Sequence, residues 1–112
     1  MLTDIAIFRF KEYQIKTGLI HLKAHRDFLL TQNGCLEAEI LKSTDRENEY
    51  LLISKWKDQE SFDESIEDLR KTGVAQRSVF ELLNILEKEP VFERFESIKS
   101  TNEIKNVSEL HE

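Results

Sequence analysis

Residues Gly34–Asp68 read GCLEAEILKSTDRENEYLLISKWKDQESFDESIED. A Gly turn, a strand, a charged hairpin loop, a second strand ending in the single tryptophan, and a helix start succeed one another in this stretch. The second strand, Tyr50-Leu-Leu-Ile-Ser-Lys-Trp56, holds three consecutive apolar residues, Leu51, Leu52 and Ile53. A strand with one face in water alternates apolar and polar residues, so this one is predicted to bury both faces. The helices of so short a chain cover one face of a sheet. A second copy of the chain is the simplest cover for the other.

The flanking sequence supplies the rest of the sheet. Leu2–Phe10 places Ile5 and Ile7 on one face and Ala6, Phe8 and Phe10 on the other, again a strand apolar on both sides. Ile15, Leu19, Leu22 and Leu29 recur at helical spacing and predict a helix over Gln14–Thr31. Asn33-Gly34 closes that helix, with Gly34 suited to a left-handed cap. Within the strand Cys35–Lys42, Leu36, Ala38 and Ile40 are expected on one face, and Glu37, Glu39 and Leu41 on the other. Ser43–Asn48 is wholly polar and reads as the hairpin loop before a strand over Glu49–Lys57. Asp58 or Ser61 can cap the next helix, and Ser61-Phe-Asp-Glu64 has capping-box spacing. That helix is expected to run to about Arg70 and stop near Gly73. Another is expected over Val74–Glu87, with the stripe Val79, Leu82, Leu83 and Leu86, and Pro90 ends it. Val91–Ile98 alternates as a fourth strand. From Lys99 the chain is polar and reads as a C-terminal tail, 99–112, weakly ordered or docked on a neighbour. The order strand, helix, strand, strand, helix pair, strand matches an α+β, ferredoxin-like split βαβ sheet over residues 1–98, with helices on one face. Its bare face would leave an apolar patch that two sheets packed together would cover.

At 112 residues the chain is one domain with a modest core. A net charge of −6 and the absence of any Lys/Arg run argue against nucleic acid or an anionic membrane as partner. The single cysteine, Cys35, excludes an internal disulfide framework and a Cys-based zinc site. No basic leader precedes an apolar core and no apolar run approaches membrane length, so a cytoplasmic location is expected.

Asn33-Gly-Cys-Leu36, the polar-looped hairpin, and Tyr50–Trp56 with the succeeding Lys-Asp-Gln-Glu-Ser-Phe62 resemble the antibiotic biosynthesis monooxygenase (ABM) family of dimeric α/β-barrel proteins. The resemblance spans about residues 2–98 by element order and is specific over Asn33–Phe62. It implies a homodimer joined through its sheets and a small aromatic or quinone-like ligand. It also implies chemistry that needs no bound cofactor, because the substrate itself activates oxygen. The haem-degrading branch of the family carries an Asn on its first strand, a Trp in the helix after strand three, and a haem-ligating His one helix further on. Here Asp4-Ile-Ala-Ile-Phe-Arg-Phe10 has no Asn, the Trp position falls near Ser65, and the ligand position falls near Ala75–Arg77. No histidine lies between His25 and His111, so the residues that mark that branch are missing here and its chemistry is not expected. Many small-molecule monooxygenases of the family also carry a His early in this helix, where Ser61-Phe-Asp-Glu-Ser-Ile66 has none.

The candidate chemistry rests on few residues. His21 and His25 share one helix face and could act as a general base or as part of a metal pair, yet no third ligand is placed for a metal. The blander alternative is a solvated or half-buried helix flank. His25 lies nearer the apolar stripe and is the stronger catalytic candidate. Trp56 could be a stacking wall for a planar ligand, or a core or interface aromatic. Phe8, Phe10, Tyr13, Phe28 and Phe62 could complete such a pocket, or serve as plain core. Arg9 could orient a carboxylate or enolate oxygen, or pair with Glu37 or Glu39. Cys35 lacks an assignable base and reads as a small buried hydrophobe. Two functions remain open. One is a cofactor-independent oxygenase whose base, His25, deprotonates a small aromatic or quinone-like compound. The other is a non-catalytic small-ligand-binding or stress-related dimer of the same fold.

Overall fold

A computed structural model of the chain describes residues 1–98, and the predicted tail lies outside the described residues. The elements are β1 (Leu2–Arg9), a 3-10 turn (Glu12–Gln14), α1 (Ile15–Leu30), β2 (Cys35–Lys42), β3 (Glu49–Trp56), α2 (Gln59–Lys71), α3 (Gly73–Asn84) and β4 (Val91–Glu96). One four-stranded sheet runs in the order β2-β3-β1-β4, every neighbouring pair antiparallel. β3 lies between β1 and β2, the two strands that α1 joins, which makes this a ferredoxin-like split βαβ fold of the α+β class.

Burial alternates along both central strands. Leu2, Asp4, Ala6 and Phe8 of β1, and Tyr50, Leu52, Ser54 and Trp56 of β3, are buried on the helix side. Leu22 and Leu29 of α1, Phe62 of α2 and Leu82 of α3 complete that core. Each large apolar side chain so buried contributes about 1.5–3 kcal/mol. On the other face the register pairs Ile5 with Ile53, Ile7 with Leu51, and Leu51 with Leu41. Val91 and Phe95 of β4 extend this face opposite Ile7 and Thr3, and both are exposed. The run Leu51-Leu52-Ile53 thus divides between a packed core and an open apolar face.

Gly34 has φ 85°, as its capping role requires, and a Cβ there would also overlap the Ser61 side chain. Gly18 admits the Phe10 ring, since an added Cβ would stand 2.6 Å from its carbons. Asp58, not Ser61, caps α2: its carboxylate accepts from the Ser61 amide at 2.8 Å, so the Ser61–Glu64 spacing forms no capping box. That hydrogen bond also holds the Asp58 carboxyl below its usual range.

Three local expectations need correction. Leu36 does not share a face with Ala38 and Ile40. A bulge between Cys35 and Glu37 turns it out to 60% exposure, while Cys35, Ala38 and Ile40 pack on the core. The second helix of the pair ends at Asn84, well before Pro90. Beyond it the Ile85 carbonyl accepts from Lys11, Leu86 bridges Phe10, and the Glu87 amide donates to the Arg9 carbonyl at 2.7 Å. The end of β1 therefore captures this segment before proline can act. The fourth strand closes at Glu96 instead of Ile98, and all of its residues are exposed.

Candidate functional site

A cavity of about 280 Å³ lies between the helix side of the sheet and the three helices. Its floor is Asp4, Ala6 and Phe8 of β1, Leu52 of β3, and Phe92 and Arg94 of β4. α1 supplies His25, Phe28 and Leu29, α2 supplies Phe62, Ser65, Ile66 and Leu69, and α3 supplies Val79. The lining is mainly aliphatic and aromatic, with four polar side chains set into it. Pockets for small organic ligands have this character, and about 300–1,000 Å³ is their usual range, so this one suits a compact ligand.

The period of β1 sends Asp4 into the core among Leu2, Ala6 and Phe8. Register places Arg94 directly opposite on β4, and its Nε lies 3.4 Å from Asp4 Oδ1. This is an ion pair without an aligned hydrogen bond, and Asp4 Oδ1 is buried with no hydrogen-bond partner. The carboxylate side chain is 13% exposed and the guanidinium 47%, so the acid sits inside and the base at the rim. Burial raises the Asp4 carboxyl above its ordinary value, and the neighbouring Arg94 opposes that shift. Arg94 also stands 4.5 Å from the centroid of the Phe62 ring, a cation–π contact that fixes both groups.

His25 reaches the cavity from α1, stacked on Phe28 with the ring planes 10° apart. Burial lowers its pKa from 6.5 to about 4, so at neutral pH it is an uncharged imidazole. Its Nδ1 is buried and unpartnered. It can exchange a hydrogen bond with a ligand, but it holds a proton weakly. Ser65 Oγ donates to the Phe62 carbonyl at 2.6 Å, which leaves the hydroxyl oxygen as an acceptor.

The structure brings His25, Phe8, Phe28 and Phe62 together around this space and leaves His21, Trp56, Arg9, Phe10 and Tyr13 outside it; Phe10 is buried edge-on against Tyr50, and Tyr13 is exposed. His21 bonds through Nδ1 to Ser78 Oγ at 3.1 Å, tying α1 to α3, and lines no part of the cavity. Trp56 is fully buried, donates from Nε1 to Ser54 Oγ, and packs edge-on against Phe62 at 5.5 Å. It braces a cavity wall without being one. Arg9 points to the opposite face of the sheet, where its Nη2 donates to Glu49 Oε1 at 3.0 Å, so Glu49 and neither Glu37 nor Glu39 is its partner. A strand residue one position from Phe8 must face away from it. The Cys35 thiol is raised by burial and meets only the Glu37 carbonyl. Among the described residues no three His, Cys, Asp or Glu side chains gather as metal ligands, and no helix is long and apolar enough to cross a membrane.

Asp4, Arg94, Phe92 and Ser65 were missed in the sequence. Asp4 left a readable signal: it is the one charged residue in the alternating set Leu2, Asp4, Ala6, Phe8. Arg94 left none, because its approach to Asp4 depends on strand register.

Comparison with known proteins adds an independent line. The profile of a family described as antibiotic biosynthesis monooxygenase matches residues 1–66. No curated protein sequence matches the chain. Among solved structures, a conserved protein from Methanosarcina mazei Go1 superposes with a TM-score of 0.76 at 16% identity, covering 87% of this chain and 92% of that one. Rv0793 from Mycobacterium tuberculosis gives a TM-score of 0.75 at 15% identity, covering 90% and 98%. SnoaB, a cofactor-independent oxygenase from Streptomyces nogalater, gives 0.73 at 15% identity, covering 90% and 96%. At these identities the likeness is one of fold.

Proposed function

The chain belongs to the antibiotic biosynthesis monooxygenase family, and on that premise we propose that it oxidises a small aromatic or quinone-like compound without a bound cofactor. The observation that carries this reading is the apolar cavity under the helices with Asp4 and His25 set into its wall. In such a reaction an electron-rich ring loses a proton, and its anion gives electrons to dioxygen. One oxygen atom enters the ring carbon, and the other leaves as water with the two hydrogens the substrate gave up. The protein must hold the ring, keep water away and accept a proton. Phe8, Phe28, Phe62 and Phe92 offer aromatic walls. We assign the proton-accepting role to Asp4, whose carboxyl burial raises, and not to His25, whose imidazole burial lowers. His25 then serves as an uncharged hydrogen-bonding partner for the bound ring's oxygen. The shared fold with a protein described as a cofactor-independent oxygenase supports the same reading.

The test is turnover of 1-naphthol under heavy-isotope dioxygen. The expected product is 1,4-naphthoquinone carrying one heavy oxygen atom. Asp4→Asn should lower the rate by about a hundredfold or more, the usual scale for a lost general base. Saturable binding of naphthol with no isotope in the product would overturn the oxidation. It would favour the second reading, a non-catalytic small-ligand-binding dimer. One observation favours that alternative: α2 turns Phe62, Ser65 and Ile66 toward the cavity and brings no titratable group.

The same reading includes a homodimer through the open sheet face. The centre of that face is Ile5, Ile7, Leu51 and Ile53, and ion pairs lie at its two ends, Arg9 with Glu49 and Lys55 with Glu37. An apolar centre with a polar rim is how stable interfaces are built.

A further inference from the structure

The cavity ends on α1 at a wall made of two rings. His25 and Phe28 stand three residues apart and so share a helix face. Their ring planes lie 10° apart with centroids 6.4 Å from each other. The same two side chains line a second space, an open groove of about 420 Å³ between α1 and α3. Small side chains shape that groove: Ala24 and Thr31 of α1, and Val74, Ala75 and Ser78 of α3. Its lining surface is mainly apolar, so the ring pair stands between two apolar spaces.

The opposite end of the cavity is different. There Phe92 and Arg94 of the edge strand β4 are both partly in solvent. A ligand ring pushed out at that mouth stays in water. A ring pushed toward α1 meets Phe28. The 280 Å³ between them takes a compact ligand, and a third ring in line gains no apolar burial at either end.

We propose that Phe28, with His25 stacked on it, is the end wall that limits the ligand to two fused rings in line. This rests on the cavity being a ligand site. It adds the length of the ligand and gives Phe28 a specificity role. Removing the Phe28 ring would join the cavity to the groove. No hydrogen bond from His25 Nδ1 ties the imidazole across the opening. A third ring could then leave water for the apolar groove beside Ala75.

The experiment is fluorescence titration of 2-naphthol and 2-anthrol, which differ by one ring in line, at neutral pH without oxygen. The parent chain should bind 2-anthrol no more tightly than 2-naphthol. Phe28→Ala should move the preference toward 2-anthrol by about tenfold or more, the scale on which an apolar pocket discriminates size. Ala75→Phe added to Phe28→Ala refills the groove and should cancel that gain. If Phe28→Ala does not fold, Phe28→Leu keeps part of the packing and should shift the preference in the same direction. A parent chain that binds 2-anthrol tenfold tighter would overturn the wall. An unchanged preference in the folded Phe28 variant would do the same, as would a gain that survives Ala75→Phe. In each of these cases the bound 2-naphthol would leave the cavity as a ligand site. Failure of the parent and the variants to bind either compound would remove the ligand site and the wall with it.

Discussion

His25 takes its protonation behaviour from where α1 puts it. In the unfolded chain an imidazole titrates near 6.5, while in the fold burial holds His25 uncharged down to about 4. Between those values the unfolded chain binds a proton that the folded one refuses. The His25 contribution is therefore fully present above about pH 6.5 and fades as the pH falls toward about 4, by at most about 3 kcal/mol. Asp4 works in the opposite sense: its raised carboxyl favours the fold at low pH, and that contribution is lost as the pH rises through its folded value. Urea midpoints at neutral and mildly acid pH should show a smaller acid loss in His25→Phe than in the parent chain. Equal losses in the two would contradict the buried, neutral imidazole. His25 could be singled out from helical spacing beside Leu22 and Leu29. Its low pKa could not, because it follows from burial in the assembled fold, which local spacing does not show.

Elements were legible where local chemistry decides them and obscure where distant contacts do. The limits of β2 and the hairpin loop come from alternation and polarity, and the cap at Gly34 from its residue type. The bulge at Leu36 was hidden because it answers to the register with β3, which sets Cys35 opposite Trp56 and Glu37 opposite Lys55. The early end of α3 was hidden because Phe10 and Arg9, far back in the chain, capture Leu86 and Glu87 just beyond it. The Gly34 turn carries a double demand, a left-handed backbone and room for Ser61. Gly34→Ala should cost more than about 1 kcal/mol, lowering the Tm by about 4–8 °C or more. Adding Ser61→Gly should recover only part, because removing the overlap leaves the backbone demand in place. Full recovery in thermal melts would show that crowding alone matters at this turn.

For the molecule as a whole, the apolar run in β3 was expected to bury both faces; in the single chain one side lies in the core and the other, with Leu51 and Ile53, is only half-buried on an open apolar face. A sheet-to-sheet dimer is the arrangement that would cover it. Light scattering should give about twice the chain mass of 13.2 kDa. Ile53→Lys, at the centre of the face, should shift the protein to monomer, since a buried unpaired charge is strongly disfavoured at an interface. A parent chain that runs as a monomer would remove the dimer. The candidate site was only partly legible at this scale, because β4 brings Phe92 and Arg94 to the cavity by pairing with the far side of β1.

β1 divides its residues between two neighbours. Leu2, Asp4, Ala6 and Phe8 look toward the helices, and Thr3, Ile5, Ile7 and Arg9 look away from them. In the proposed dimer the sheets stand back to back, and each cavity lies on the outer side of its own sheet. Among the described residues, none on the shared face lines either cavity. The assembly would then work as two vessels with separate doors. Pulling the pair apart would expose their shared wall without emptying either vessel.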